Sequence, residues 1–481
     1  MTTLPASPSV RSGLVLTAAA AAQFLVAFDM SVINVALPDI QRSLGFTDTD
    51  LSWVVNAYAL AFGGLLLLGG RLCDVAGTRR ILVAGLLVFG AVSVAGTCAP
   101  TASLLVAARA VQGVGAAMIA PAGLAALSQA FPDGAARARA FGVGAMSSAL
   151  GGALGVVLSG VLTQVLGWRW VMFAGAPVAL VAAAAAARGF GRVPARPGGG
   201  TLDVPGAILA TAALTVLVGT VGVTDTQGWG SRVVLGGTVA ALALFVAFVV
   251  VERRTPNPLV RFSTLLRPRI GLANAIMCVL CAGQFGAFFF VSLYMQRGLG
   301  YSPAVTGVAF LPFCAGLVVG IVASSGLLPR IGPRPLLIVG TAIAAAGAWG
   351  FSMMSADGGY VATVLLPSLA TSIGIGLSFM PLSNVATADA PDGEVGMAAG
   401  MLSASRQIGG SVGLAGLVSI AAAATAAAAP SGASALVAGY SHALSICAVL
   451  LLAGTMLALF FPSSSRPKRA RPGAGSAKPR T

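Results

Sequence analysis

Residues 24–38 read FLVAFDMSVINVALP, and one of them can exchange a proton. Asp29 lies in a run that is apolar or small from Gly13 onward, apart from Thr17 and Gln23. Such a run crosses a membrane, and a carboxylate at the bilayer centre costs roughly 2.5–3.5 kcal/mol on insertion scales. A carboxyl that is buried but faces an arginine is pulled both ways and can load and release a proton near neutral pH. A second apolar run, LLVAARAVQGVGAAMIAPAG, supplies the arginine, Arg109, with Gln112 one turn on and Gly113 and Gly115 allowing a neighbour to approach. Asp29 and Arg109 are the intramembrane acid–base pair that the chain offers. The bland readings are a fixed ion pair between two helices, and an arginine that snorkels to the surface.

The energy source narrows the chemistry. An ATP-driven pump needs a phosphate loop ending in Gly-Lys-Ser/Thr. Lysine occurs only at Lys468 and Lys478, in the tail SRPKRARPGAGSAKPR, so no such loop exists in this chain. Work against a gradient must then draw on another gradient. Of the thirteen acidic residues, Asp29 alone lies well inside an apolar run; Asp203, Glu252 and the rest fall in loops or at ends.

The elements that must hold these residues follow from composition. The 481 residues are 57% hydrophobic and 9% charged, against about 25% charged in soluble domains. Apolar runs of spanning length occur at 13–37, 51–70, 80–99, 103–129, 138–164, 169–187, 205–223, 232–251, 270–295, 304–327, 335–354, 360–382, 398–425 and 436–460. The first reads as a span and not a cleaved signal, because it continues past any small-residue cleavage site. The net charge of +15 is topology, not a nucleic-acid footprint. With the first residues placed in the cytoplasm, 22 of the 28 basic residues fall on the inner side and four on the outer, Arg109 and Arg406 lying within helices. Both termini are expected in the cytoplasm. The six scattered cysteines read as packing residues, Cys278 and Cys281 included, because they lie in an apolar helix. His442 reads as interfacial. No metal or cofactor is expected, and no enzyme activity.

An internal echo points to duplication. GRLCDVAGTRR (70–80) follows the second run and SGLLPRIGPRP (325–335) the tenth, pairing Leu72 with Leu327, Gly77 with Gly332 and Arg79 with Arg334. In the first copy Gly70, Asp74, Gly77, Arg79 and Arg80 form a basic turn with an acid in it. Asp74 could pair in one conformation and release in another, or the turn could be a plain positive-inside loop. In the fifth run Gly151, Gly155 and Ser159 recur every fourth residue, with Gly160 adjacent, a smooth stripe for close helix contact.

These motifs carry a resemblance. FDMSVINVALP (28–38), Gly70–Arg80, Arg109-x-x-Gln112-Gly113 and Gly151-x-x-x-Gly155-Val156-x-x-Ser159-Gly160 resemble, in order, the motifs of the fourteen-helix drug:proton antiporter family of the major facilitator superfamily, the EmrB/QacA-type multidrug efflux transporters. GWRWVMFAGAPVA (167–179), YMQRGLGYSPAVTG (294–307) and SRQIGG (405–410) also look familial. Two positions depart: Val75 replaces a usual arginine and Val156 a usual proline. Loss of the proline removes a helix weak point.

The resemblance implies an all-α integral membrane protein with the major facilitator fold: two pseudo-symmetric six-helix bundles and two extra central helices. The expected division is an N-tail at 1–12, a bundle at 13–187, a linker with two spans at 188–269, a bundle at 270–461 and a basic C-tail at 462–481. It also implies that helices 1 and 4 are neighbours. A substrate cavity is expected near the midplane between the halves, walled by Asn34, Trp53, Asn56, Tyr58, Gln112, Asn274, Gln284, Phe285, Phe288, Met380 and Asn384. Few charges and several aromatics there suit amphipathic organic molecules. The expected function is proton-coupled efflux of lipophilic or cationic compounds such as antibiotics across the cytoplasmic membrane, by a monomer that alternates access. The alternative is a proton-coupled symporter importing a small metabolite, which would want a more polar cavity.

Overall fold

The computed structural model describes residues 11–131, 134–190, 202–355, 358–391, 394–428 and 432–461. The tails at 1–10 and 462–481, with both lysines, lie outside the described residues. Fourteen of the described helices are long and apolar enough to cross a membrane. We number them α1 (Ser12–Leu44), α2 (Asp50–Ala76), α3 (Thr78–Thr97), α4 (Ala102–Ala130), α5 (Arg139–Val165), α6 (Trp168–Gly189), α7 (Val204–Gly222), α8 (Arg232–Arg254), α9 (Pro268–Gly298), α10 (Pro303–Ile331), α11 (Pro333–Ser352), α12 (Val361–Ala388), α13 (Val395–Ala427) and α14 (Ser434–Leu459). Helices satisfy their own backbone groups, which the bilayer core requires. The chain is an all-α, multi-pass membrane protein.

Local chemistry sets the helix ends. Thr101, Asp203, Ser231 and Ser302 each accept a backbone N–H of the turn that follows, the usual cap for an orphan donor. Gly77 separates α2 from α3 at φ +90°, and Gly332 separates α10 from α11 at φ +79°. Side chains rarely adopt that backbone, so a one-residue reversal needs glycine. The echo in the sequence becomes an echo in space. Arg79 Nη2 donates to Ala187 O at the end of α6, 2.7 Å, and Arg334 Nη2 donates to Leu459 O at the end of α14, also 2.7 Å.

The two groups of six pack alike. α1 lies on α5, α4 and α6, and α4 also on α2 and α3. α9 lies on α13, α12 and α14, and α12 also on α10 and α11. The groups meet along α2 with α13, α5 with α10, and α1 with α9. α7 covers the α2–α13 seam: Trp53, Leu60, Val218 and Ala415 cluster there, and Ser419 Oγ donates to Val221 O at 2.7 Å. α8 packs mainly on α7 and turns Val239, Leu242 and Phe245 outward, as a lipid-facing helix should.

The helix-5 stripe has two customers. A Cβ at Gly151 would stand 2.4 Å from Phe24 O, and one at Gly155 2.8 Å from Phe28 O, so these glycines seat α5 on α1 within one group. A Cβ at Gly160 would stand 2.3 Å from Pro303 O, across the divide on α10.

The groups are bridged at one end, where α1 leads into α2. There Ser292 Oγ donates to Asn34 O at 3.0 Å, Gln296 Nε2 to Val35 O at 2.9 Å, Arg297 Nη1 to Asp48 Oδ1 at 2.8 Å, and Ala304 N to Gln164 Oε1 at 3.2 Å. At the opposite end, among the described residues, no hydrogen bond or ion pair joins the two groups.

Candidate functional site: an ion pair beside a central cavity

Asp29 sits near the middle of α1, and Arg109 in the first half of α4. Arg109 Nη1 donates to Asp29 Oδ2 at 2.7 Å and to Gln112 Oε1 at 2.9 Å; its Nε donates to Val54 O at 3.0 Å. The guanidinium carbon lies 4.6 Å from the centre of the Tyr58 ring. Gln112 is held in turn, its Nε2 donating to Ser93 Oγ at 2.8 Å. Four helices thus converge on one arginine that is 1% exposed, and Asp29 is 6% exposed. The snorkelling reading of Arg109 does not fit this burial. A buried pair this well hydrogen-bonded survives desolvation, whereas removal of one partner strands the other at a cost of about 3–5 kcal/mol.

A cavity of ≈ 340 Å³ lies between the groups. Its wall takes Met30, Ser31 and Asn34 from α1, Tyr58 from α2, Arg109 from α4, and Ser148 and Gly152 from α5. The other group supplies Gln284, Phe285 and Phe288 from α9, Phe313, Cys314 and Leu317 from α10, Phe379 from α12, and Arg406 from α13. Phe288 stacks on Phe310 at 5.2 Å and meets Phe313 edge-on at 4.6 Å. Arg109 therefore faces two ways, toward Asp29 behind it and toward the cavity in front.

Of the eleven residues expected in the wall, Asn34, Tyr58, Gln284, Phe285 and Phe288 line the cavity. Six are placed elsewhere. Trp53 packs on Gly219 of α7 under the added helices. Asn56 is fully buried in α2 with both amide atoms unpartnered. Gln112 stands behind Arg109 and orients it. Asn274 is buried between α9 and α13, its Nδ2 on Ile270 O and its Oδ1 receiving the Ser405 hydroxyl at 2.8 Å. Met380 and Asn384 are exposed on α12 and do not line the cavity. Helix rotation decides such placements, and a helix apolar on all sides gives no periodic signal of it.

The basic turn is mostly helix. α2 continues through Asp74 to Ala76, and Asp74 is exposed and makes no ion pair among the described residues. Gly70 lies against Pro121 of α4, Arg79 caps α6, and Arg80 is exposed. Two features escaped the sequence reading. Arg406 faces the cavity, with the same signal as Arg109: a lone arginine in an apolar run. Asp203 and Glu252, expected in loops or at ends, do lie at helix ends, but each is 3% exposed and they flank Gly206, with Asp203 Oδ2 and Glu252 Oε1 unpartnered.

Two pseudo-symmetric six-helix groups around a central cavity, bridged at one end, are the architecture of a membrane transporter. The Major Facilitator Superfamily model matches residues 19–414, and the chain belongs to that family. The cephamycin export protein CmcT of Amycolatopsis lactamdurans is 40% identical over 455 residues, covering 94% of this chain and 93% of its own. The puromycin resistance protein pur8 of Streptomyces alboniger is 40% identical over 403 residues, 82% and 79% of the two chains. Among solved structures, a POT family transporter in complex with a thioalcohol-conjugated peptide superposes with a TM-score of 0.69 at 14% identity, over 93% of this chain and 96% of that one. The last likeness concerns fold alone. The chain is a small-molecule transporter, not an enzyme, and relatives of it carry the names of antibiotic export and resistance proteins.

Proposed function

We propose that the protein exports antibiotic-like organic compounds from the cell in exchange for protons. The observation that carries this reading is the position of Arg109 between Asp29 and the cavity. It holds Asp29 on one side and forms cavity wall on the other. Protonation of Asp29 removes the charge that Arg109 pairs with, so proton occupancy on α1 and substrate occupancy in the cavity act on one guanidinium. That is the linkage an antiporter needs: two ligands coupled through a shared element. The names of the relatives support export of antibiotics as the direction and cargo. The aromatic wall supports amphipathic organic cargo.

Orientation follows from the charge asymmetry. With both termini in the cytoplasm, the bridged end is the outer one, and the conformation described is open to the cytoplasm. Cargo would enter between the groups, and closure around it would exchange the outer bridges for inner ones. Asp74, in no ion pair among the described residues, is an acid available for an inner bridge. The protein works as a monomer, since each chain holds a complete cavity and pair.

The test is transport. A sensitive bacterial host expressing the chain should tolerate a cephamycin better than the empty host. Inverted membrane vesicles should take up the protected compound when acidified inside and lose it on addition of a protonophore. Resistance without gradient-dependent uptake would remove the antiport reading.

A further inference from the structure

The cavity wall holds two guanidiniums and no carboxylate. One of them is spoken for, because Arg109 has Asp29. Arg406 is different. Its guanidinium rests on the Phe379 ring at 5.1 Å, its Nε is buried without a hydrogen-bond partner, and it belongs to none of the ion pairs among the described residues. Across the same cavity wall, Gln284 is 7% exposed and its Oε1 is buried and unpartnered. A buried donor and a buried acceptor left open cost free energy unless something fills them. Both residues line one cavity, whose wall also carries Phe285, Phe288 and Phe313 beside the polar Ser31, Asn34, Tyr58 and Ser148.

We propose that Arg406 is the head-group site of this cavity and that the cargo is an amphipathic organic anion, such as an aryl carboxylate, and not an organic cation. The carboxylate meets Arg406, an N–H or O–H of the cargo meets Gln284, and the apolar body lies on the phenylalanines. A guanidinium in a partly desolvated wall attracts an anion and repels a cation by far more than it would in water. Of the expected lipophilic or cationic compounds, this keeps the lipophilic and departs from the cationic. It rests on the reading of the cavity as the transport site.

The test uses the purified full chain in zwitterionic nanodiscs, with empty nanodiscs as the partition control, and three probes that share one apolar body: pyrenebutanoate, its methyl ester and pyrenebutylammonium. The carboxylate should bind at least about tenfold more tightly than the ammonium. Arg406→Gln should erase that gap while the ester binds as before, which also shows that the variant is folded. Arg406→Lys keeps a point charge without the fork and should retain the ranking at lower affinity. Equal or tighter ammonium binding by the wild type would overturn the proposal. So would an unchanged carboxylate-to-ammonium ratio in Arg406→Gln, or a preference for ammonium in Arg406→Lys. Binding is read without transport, so the two readings fail separately. A preserved carboxylate preference with no gradient-driven uptake would uphold the site and sink the efflux reading.

Discussion

Gly160 of α5 and Pro303 of α10 meet so closely that a methyl group on the glycine would stand 2.3 Å from the proline carbonyl oxygen. The two residues belong to different halves, so in the proposed alternating-access cycle the contact would exist only while that end is closed. Gly151, on the same stripe, makes its close contact with Phe24 inside one half.

Substitution should therefore separate gating from packing. Gly160→Ala should disfavour the closed end, and overpacking costs of about 1–3 kcal/mol shift a population about tenfold or more. Gly151→Ala should instead lower the thermal midpoint. The measurement is labelling of Asn34→Cys by a membrane-impermeant thiol reagent in a cysteine-free background. If Gly160→Ala leaves labelling unchanged, the α5–α10 contact does not govern closure.

The Asp48–Arg297 bridge makes a pH prediction. Burial pushes the Asp48 carboxyl up, but hydrogen bonds from Gln41 and Arg297, with the charge of Arg297, outweigh it and hold the group below the ordinary aspartate range. A depressed value means the bridge contributes fully above the ordinary aspartate pKa of about 3.9 and is lost only as pH falls through the lowered value. Closure should then be insensitive to Asp48 between about pH 5 and 8. Asp48→Asn should loosen it by at most about 1 kcal/mol, because the side chain is half exposed. The same thiol assay checks both. A labelling change near neutral pH that disappears in Asp48→Asn would contradict this account.

Asp74 bears on the opposite end. It is exposed and unpaired in the conformation described, so Asp74→Asn should leave the melting temperature of this state nearly unchanged, within about 0.5 kcal/mol. If it pairs in the other conformation, the substitution should raise the population open to the cytoplasm. Thiol labelling from the cytoplasmic face reads this directly. Identical accessibility on both faces would reduce the motif to topology.

A fourth prediction concerns the added helices. A methyl at Gly206 would lie 2.7 Å from Asp203 Oδ2 and 2.8 Å from Glu252 Oε1. Gly206→Ala should destabilise the chain by about 1–3 kcal/mol, seen as a lower unfolding midpoint in detergent. An unchanged midpoint would mean that the two acids move apart freely.

The fold was legible because its signal is crude and repeated. Fourteen apolar runs, each long enough to span, need no knowledge of neighbours, and their starts and ends agree with the helices to a few residues except where α1 continues through Pro38 to Leu44, α2 to Ala76 and α12 to Ala388. Asp29 and Arg109 were legible for a related reason: a charge in such a run has few partners to choose from. The cavity wall was less legible. Trp53 and Met380 were chosen for chemical type, but the rotation of α2 and α12 is set by what packs on them, and α7 claims Trp53. Arg406 carried the same signal as Arg109 and lacked only an acid to draw attention to it. Asp203 and Glu252 read as helix-end residues, and their burial depends on chain folding back: Val260 N donates to Glu252 Oε2 at 3.1 Å.

Asp29, as the proposed proton carrier, is tested most directly by removing its titration. Asp29→Asn keeps the size and much of the hydrogen bonding of the carboxyl but cannot titrate. The measurement is proton release on addition of cargo to proteoliposomes, with folded protein quantified in parallel. If Asp29 is the proton carrier, the folded fraction of Asp29→Asn should show no cargo-driven proton release and no uphill efflux, while downhill cargo exchange continues. Loss of the pair costs stability on either reading, about 3–5 kcal/mol, so transport is expressed per folded protein. A merely structural pair predicts that the Asp29→Asn protein which does fold still couples efflux to protons. A folded Asp29→Asn protein that still drives efflux uphill with ordinary proton release would contradict the account and place the coupling group elsewhere.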